Sequence, residues 1–290
     1  SQPRQSKYVF DVKAITTEDL NDIYDYIVNE YQIVKDYPEI LETQPETRKI
    51  QERGGNTVTG IIKKLRAFFN WCEKEGFLKK NPFIGFEKGE GEQYGTPIYF
   101  TKDELKQIYA ADFSDNPSLE TQRDIFVFQC NVGCRVGDMM RLTKRDVING
   151  SIEYIPNKTI KENAKTVVVP LNSMAKAILE KYKDLPGEQL LPFIASQNYN
   201  YAIKDIVKKA GITRLVTTLD PLTRKEVKRP IYEVASSHMA RRTFIGNIYK
   251  QVKDQHLVSS LTGHSDNSRA FVRYRNIDID MKQELVNILD

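Results

Sequence analysis

The chain has 290 residues, of which 40% are hydrophobic and 28% charged, and its formal net charge at pH 7 is +4. This composition is ordinary for a globular protein, and the length allows one large domain or two smaller ones. No apolar run approaches the roughly 20 residues of a membrane span, which argues against a membrane protein. The cysteines Cys72, Cys130 and Cys134 lack metal-ligand spacing, so we expect neither zinc nor disulfides, and a cytoplasmic location. The chain begins at Ser1 without an initiator methionine, so we expect residues before it in the natural protein.

Two amphipathic helices are predicted within residues 16–86. Thr17 is a suitable N-cap for the first, because apolar residues follow from Leu20 at helical spacing. The second is predicted to begin at Thr57, after a turn at 54–56, and to end at Gly76. Its apolar residues share one face, and the opposite face carries basic side chains close to aromatic ones: Lys63, Lys64 and Arg66 near Phe68, Phe69 and Trp71.

A linker is predicted at residues 88–97 (KGEGEQYGTP), which contain three glycines, one proline and little apolar content. The chain would then consist of a small helical domain (1–88), a linker (89–98) and a larger domain (99–290). The larger domain opens with a capping box, in which Thr101 is followed three residues later by Glu104.

The larger domain is predicted to be mostly helical with one small antiparallel sheet. Residues 124–140 form a long apolar segment that Gly133 interrupts, as expected of a buried helix that ends there. Residues 151–156 and 166–171 alternate or are rich in β-branched side chains, which predicts a hairpin with a lysine-rich turn. Further helices are predicted near Ser173, near Tyr199 and over 237–249.

Basic residues are concentrated between Lys204 and Arg229, a segment that contains eight basic and three acidic residues. Together with the cluster at Lys63, Lys64 and Arg66, this distribution suits a polyanion such as DNA. The alternative is a pair of solvated helix faces, and charge alone does not choose between them.

The chemical groups near the end of the chain suit covalent cleavage of a phosphodiester. Tyrosine can attack phosphorus and form an ester that conserves the bond energy, which makes Tyr274 a candidate nucleophile. Arginine forks donate two hydrogen bonds to a phosphate, so Arg135 and Arg241 could stabilise the charge of the transition state. His238 lies three residues before Arg241, on one helix face if the segment is helical. With His264 it could act in proton transfer.

Alternative roles exist for each of these residues. Arg135 could form an ion pair with Asp138, and Arg241 could simply anchor a DNA phosphate. A lysine of the hairpin turn could protonate the leaving oxygen, and either Lys158 or Lys161 has a suitable position.

This set of residues resembles the tyrosine recombinases of the phage-integrase family. The segments that carry the resemblance are, in chain order, Asn131-Val132-Gly133-Cys134-Arg135-Val136-Gly137-Asp138, Asn157-Lys158-Thr159, His238-Met239-Ala240-Arg241, Leu261-Thr262-Gly263-His264 and Arg273-Tyr274. It covers residues 100–285, and the helical segment before them resembles the core-binding domain of the family more weakly. Cys134 stands where an apolar residue is usual, and the interval from His264 to Tyr274 is about one residue longer than expected.

The resemblance implies a two-domain, C-shaped clamp around double-stranded DNA, with no metal or other cofactor. Arg135, Lys158, His238, Arg241, His264 and Tyr274 would be catalytic, and Lys63, Lys64, Arg66 and Arg242 would contact DNA. A homotetramer on two DNA sites would exchange strands through a 3′-phosphotyrosine and a Holliday junction, with room for accessory DNA-bending factors. The implied setting is the nucleoid of a bacterium, with the gene on a mobile element or phage. A short last helix, residues 282–289, would dock on a neighbouring protomer.

Two other functions remain open at this stage. A type IB topoisomerase shares the tyrosine, arginines and lysine, although its His-x-x-Arg box usually has lysine in place of the histidine. A non-catalytic DNA-binding protein on the same scaffold is the other alternative, and the presence of every expected catalytic residue type argues against it.

Overall fold

A computed structural model describes residues 11–43, 50–89, 91–158, 160, 164–252, 254–263 and 286. The described backbone is mainly helical with small antiparallel sheets, which confirms the predicted fold class. It divides into two compact units, one of Ser1–Gly95 with Leu219–Val227 and one of Thr96–Thr218 with Lys228–Asp290. In the described ranges, no helix is both long and apolar enough to cross a membrane.

The first unit contains α1 (Thr17–Asp36), a 3-10 turn (Pro38–Thr43) and α2 (Gly55–Lys74). The predicted N-cap at Thr17 is wrong by one residue, because Thr16 forms the capping box with Asp19. The predicted turn at 54–56 is also too long, since Gly54 is the N-cap of α2 and Gly55 is already helical. Glu75 ends α2, and Gly76 follows with φ of 77°, as predicted.

The core of the first unit is apolar and includes three phenylalanines. Its buried members come from both helices and from the segment that follows α2: Leu20, Val58, Ile62, Phe69, Cys72, Leu78, Phe83 and Phe86. Because these residues fall on the faces turned towards each other, the basic side chains Lys63, Lys64 and Arg66 are left exposed on α2.

The rest of the chain alternates helices with short strands. In order these are α3 (Lys102–Ala110), α4 (Pro117–Val132), α5 (Val136–Met139), β1 (Val147–Ile148), β2 (Ser151–Tyr154), β3 (Val167–Pro170), α6 (Ser173–Lys181), α7 (Ser196–Lys209), β4 (Leu215–Leu219), β5 (Glu226–Pro230), α8 (Ile231–Val234), α9 (Ser237–Val252) and α10 (Gln255–Thr262). The capping box at Thr101 and the end of α4 at Gly133 are confirmed.

Helix α4 lies at the centre of the second unit and contacts α3, α6, α7 and α9. It is buried on nearly all sides from Gln122 to Cys130, which explains why its sequence is apolar without a clear period. The arginine-bearing loop that follows α4 is therefore attached to a central, buried helix of the unit.

The predicted hairpin is confirmed as β2 and β3, which pair antiparallel with Ile152 opposite Val169 and Tyr154 opposite Val167. Ile152 and Tyr154 point into the core while Ser151 and Glu153 do not, as expected from the two-residue period of a strand. Strand β1 extends the same sheet. The second sheet, β4 with β5, was not predicted, and it contains part of the basic segment 204–229.

Candidate active site

The loop after α4 is shaped by Gly133, which ends the helix in the left-handed conformation with φ of 70°. A Cβ atom at this position would lie 2.3 Å from Cδ1 of Phe244, so no other residue fits without displacing that ring. The chain therefore turns sharply, and Arg135 becomes the N-cap of the short helix α5.

Arg241 is almost fully buried, with 2% of its surface exposed. Its Nη1 donates to the carbonyl of Gly133 at 2.8 Å, and its Nη2 donates to the carbonyl of Thr262 at 2.7 Å. One side chain of α9 thereby joins the arginine loop to the end of α10. The charge stays in the interior because these backbone acceptors replace water.

Arg135 has a different environment, with 29% of its side chain exposed. Its Nη1 lies 4.0 Å from Oδ2 of Asp138, at the limit of an ion pair, and has no hydrogen-bond partner in the described part of the chain. Asp138 instead accepts from Nη2 of Arg141 at 2.7 Å and from the backbone N–H of Asn157 at 2.9 Å. The ion pair between Arg135 and Asp138 is therefore weak.

The bond from Asn157 to Asp138 attaches the β2–β3 hairpin to the arginine loop. Lys158 follows directly and is exposed in the turn. Lys161, the alternative general acid, lies outside the described residues.

The end of α10 also approaches the hairpin. Gly263 caps α10 with φ of 63°, and a Cβ there would lie 2.9 Å from Val167 and 3.0 Å from Pro156. The arginine loop, the hairpin and the end of α10 thus meet in one place. His264 is the next residue after Gly263, but it lies outside the described residues, as do Tyr274 and the predicted helix at 282–289 apart from Val286.

His238 and Arg242 belong to the first turns of α9. His238 is exposed, and Arg241 follows it by one turn of the helix, as predicted from their spacing. Arg242 is partly buried. The structure therefore brings Arg135, Arg241, His238 and the base of the Lys158 turn onto adjoining elements of one unit.

A buried hydrogen-bond relay connects α7 and α4 to the arginine loop. The Tyr199 hydroxyl donates to Oε1 of Gln129 at 3.0 Å, and Nε2 of Gln129 donates to the carbonyl of Cys134 at 3.1 Å. Gln129 and Tyr199 are 0% and 1% exposed. The sequence did not single them out, because a glutamine in an apolar helix and a tyrosine at helical spacing carry no functional signature.

Burial dominates the electrostatics around the loop. It raises the pKa of the Cys134 thiol to about 12, against the opposing effect of the Arg241 charge. It also raises the pKa of Tyr154 at the end of β2, where Arg241 and Arg135 act in the opposite direction. Both groups are therefore neutral at physiological pH. In the described ranges, no group of three or more His, Cys, Asp or Glu side chains is arranged to hold a metal ion.

The second predicted basic region is the exposed face of α2 in the first unit. Lys63 pairs with Glu92 at 2.8 Å, and the Arg66 guanidinium lies 4.6 Å from the ring centre of Phe83. Phe68 and Trp71 are 41% and 50% exposed beside them. Part of the basic segment 204–229 is used structurally, since Arg214 pairs with Glu104 at 2.6 Å and Lys209 pairs with Asp115.

Comparison with protein families gives a match of residues 99–280 to the phage integrase family. The chain is 23% identical over 265 residues to a tyrosine recombinase XerC of Halalkalibacterium halodurans, covering 88% of this chain and 80% of the relative. It is 24% identical over 220 residues to the tyrosine recombinase XerC of Staphylococcus carnosus, covering 72% and 67%.

Solved structures of similar fold include two DNA complexes. A lambda integrase dimer bound to a COC′ core site matches with a TM-score of 0.60 and 18% identity, covering 91% of this chain and 81% of the other. The XerH site-specific recombinase in a post-cleavage complex with palindromic difH matches with a TM-score of 0.62 and 14% identity, covering 98% and 75%. At these identities the matches establish a common fold.

Proposed function

Because this chain belongs to the phage integrase family and is a tyrosine site-specific recombinase, we propose that it is the integrase of a mobile genetic element. It would cleave and rejoin double-stranded DNA through a 3′-phosphotyrosine and a Holliday junction. The observation that carries this proposal is the convergence of Arg135 and Arg241 on one loop, next to the hairpin of Lys158 and the end of α10.

The two arginines are suited to different parts of one task. Arg241 donates to the carbonyls of Gly133 and Thr262, so it fixes the loop and contributes a buried positive charge to it. Arg135 retains an unused N–H donor in a buried position, which suits a phosphate oxygen. Donors that are in place before the reaction stabilise developing charge without reorganisation, and removal of one typically costs about 3 to 4 kcal/mol.

The proposed reaction begins with attack of the Tyr274 oxygen on the scissile phosphorus. A new bond forms between the tyrosine oxygen and phosphorus while the bond from phosphorus to the 5′ oxygen breaks. His238 would accept the phenol proton, and Lys158 or Lys161 would protonate the leaving 5′ oxygen. His264 would donate to a non-bridging oxygen. The freed 5′ hydroxyl of a partner duplex would then attack the phosphotyrosine phosphorus, which forms the new phosphodiester, breaks the bond from phosphorus to the tyrosine oxygen and returns a proton to Tyr274.

Strand exchange requires two duplexes and, in the proposal, four protomers. Structures of similar fold support this step: a lambda integrase tetramer bound to a Holliday junction, with a TM-score of 0.59 and 18% identity, and the Tn1549 transposon integrase with a circular intermediate DNA, with a TM-score of 0.57 and 13% identity. The bacterial origin of the XerC relatives is consistent with action in the cytoplasm of a bacterium, with or without accessory DNA-bending factors.

DNA contacts by the first unit are the remaining part of the proposal. Lys63, Lys64 and Arg66 are exposed along α2, and exposed aromatic rings lie beside them. Such a face can neutralise backbone phosphates without reading sequence. Arg242 would contribute from the second unit, near the reacting phosphate.

Covalent trapping tests the proposed nucleophile. Nicked duplexes that carry candidate sites from the ends of the element would be incubated with the protein and with Tyr274→Phe, and adducts would be separated on denaturing gels. Tyr201→Phe is the matched control, because Tyr201 is 58% exposed on α7. We expect an adduct with the wild type and the control and none with Tyr274→Phe.

The same assay distinguishes the alternatives. An adduct that persists in Tyr274→Phe would show that the nucleophile is another residue. Tight binding without any adduct would support a non-catalytic DNA-binding protein. Adduct formation without exchange between two duplexes, but with relaxation of supercoiled DNA, would support a topoisomerase.

A further inference from the structure

Among the described residues of the second unit, three buried hydrogen-bond donors have no acceptor, and one of them is the Ser259 hydroxyl on α10. The other two lie beside the candidate active site. One is Nη1 of Arg135 and the other is the hydroxyl of Tyr154, whose residue is only 9% exposed. Buried polar groups are nearly always paired, because an unpaired one costs its full desolvation free energy. Two unpaired donors close to one candidate active site therefore require an explanation.

Tyr154 is located among the groups of that site. It is the last residue of β2, opposite Val167, and the strand leads within three residues to Asn157, which bonds Asp138. Its hydroxyl interacts electrostatically with Arg241, Asp138 and Arg135. The residue belongs to the apolar core, and the charges that act on its hydroxyl belong to the arginine loop and to α9.

Three acceptors around the loop already receive other donors, and neither Arg135 Nη1 nor the Tyr154 hydroxyl bonds to any of them. The Oδ1 atom of Asp138 accepts from Arg141 and from the Asn157 backbone, and Oδ2 lies 4.0 Å from Arg135. The carbonyl of Gly133 accepts from Arg241, and that of Cys134 accepts from Gln129. Burial also keeps the Tyr154 phenol neutral at physiological pH, so it can donate a proton in a hydrogen bond but is not an activated nucleophile.

We propose that Tyr154 is a further phosphate ligand of this site, whose hydroxyl donates a hydrogen bond to a non-bridging oxygen that Arg135 also contacts. The missing acceptor for both donors is then an oxygen of the scissile phosphate. The inference rests on the proposed function, since it assumes that Arg135 binds that phosphate. Tyr154 makes no covalent bond and keeps its proton throughout the reaction.

The proposed role has a consequence for the stability of the protein when no phosphate is bound. An unpaired buried hydroxyl destabilises the fold, so its removal in Tyr154→Phe is expected to leave Tm unchanged or to raise it by about 2 to 4 °C. A hydroxyl that only supported the structure would give the opposite result. Lower activity together with equal or higher stability is the signature of a ligand-binding group.

The test compares the wild type with Tyr154→Phe and with a matched control, Tyr182→Phe. Tyr182 belongs to the same unit, and its hydroxyl bonds Asp124 at 2.9 Å. Single-turnover cleavage of a nicked duplex would be measured for all three proteins. A hydrogen bond to a charged group predicts a rate about 10- to 100-fold lower for Tyr154→Phe, and a rate within twofold of the wild type for Tyr182→Phe.

A second measurement does not depend on cleavage. Inorganic phosphate is added to each protein without DNA, and the rise in Tm is recorded. We expect a smaller rise for Tyr154→Phe than for the wild type and for Tyr182→Phe, because one of the ligands of the phosphate is lost.

The outcomes separate the two proposals. A wild-type cleavage rate for Tyr154→Phe would overturn the role of Tyr154 and leave the proposed function intact. If the wild type forms no adduct with any site, the proposed function fails, and the inference is then decided by the phosphate measurement. Equal increases in Tm for the wild type and Tyr154→Phe, including no increase in either, would overturn it. A fall in Tm of Tyr154→Phe without phosphate would also contradict it.

Discussion

The basic cluster of the first unit and the two candidate catalytic arginines of the second unit differ in how their charges are held. On α2 of the first unit, Lys63, Lys64 and Arg66 are exposed, and their contacts are with the surface residue Glu92 or an aromatic ring. In the second unit, Arg241 is 2% exposed and bonds two backbone carbonyls, and Arg135 projects from a loop that this arginine fixes.

This difference has energetic consequences. Exposed cations act through a screened field, so each contributes a small amount and the contributions are nearly additive. Arg241 is buried and its hydrogen bonds connect two segments, so its loss disturbs its neighbours. The comparison predicts large, coupled effects in the second unit and small, salt-dependent effects in the first.

Arg241→Ala should have the largest effect, because it removes a charge of the site and the donors to the carbonyls of Gly133 and Thr262. We expect cleavage to fall at least about 1000-fold and the free energy of unfolding to fall by about 2 to 5 kcal/mol. Cleavage assays and urea denaturation measure the two quantities. An unchanged free energy of unfolding would contradict the structural part of this role.

Arg135→Ala should reduce activity without a comparable loss of stability. Its Nη1 has no hydrogen-bond partner among the described residues, and the pair with Asp138 is long at 4.0 Å. We expect cleavage to fall about 100- to 1000-fold, while the free energy of unfolding changes by less than about 1 kcal/mol. If Arg135→Ala destabilises the protein as much as Arg241→Ala, the distinction between the two arginines is wrong.

Tyr199→Phe should have an intermediate effect, transmitted through Gln129 to the Cys134 carbonyl. Removal of the hydroxyl leaves Oε1 of Gln129 unpaired, which we expect to lower the free energy of unfolding by about 1 to 3 kcal/mol. Cleavage should fall up to about tenfold through poorer placement of Arg135. The double variant with Arg135→Ala should show no further loss of activity; an equal further loss would mean that the relay acts elsewhere.

Lys64→Ala should have the smallest effect, confined to DNA binding. A lysine that neutralises one phosphate contributes about 0.9 to the slope of log affinity against log salt concentration. We expect that decrease for Lys64→Ala and a smaller one for Lys63→Ala, because Lys63 is already paired with Glu92. Fluorescence anisotropy over a range of salt concentrations measures the slope. An altered cleavage rate at saturating protein would contradict a role limited to binding.

Most elements of the fold were predictable because their signals are local. The capping box at Thr101, the left-handed Gly133 and the β-branched strand β3 each depend on a few neighbouring residues. Strands β4 and β5 were missed, although Val216, Thr217 and Thr218 favour a strand. Strand β5 gives a weak signal, because Val227 is its one β-branched residue and Lys228 and Arg229 follow it.

The sequence by itself determined the chemical groups of this protein and their order, because residue types and short intervals are read directly from it. Only the tertiary structure decided how those groups are used. Arg241 and the Gly133 carbonyl are 108 residues apart, and Tyr199 and Gln129 are 70 residues apart. Whether an arginine is satisfied by the backbone, or a tyrosine hydroxyl is left without an acceptor, depends on packing between distant segments, which no local pattern specifies.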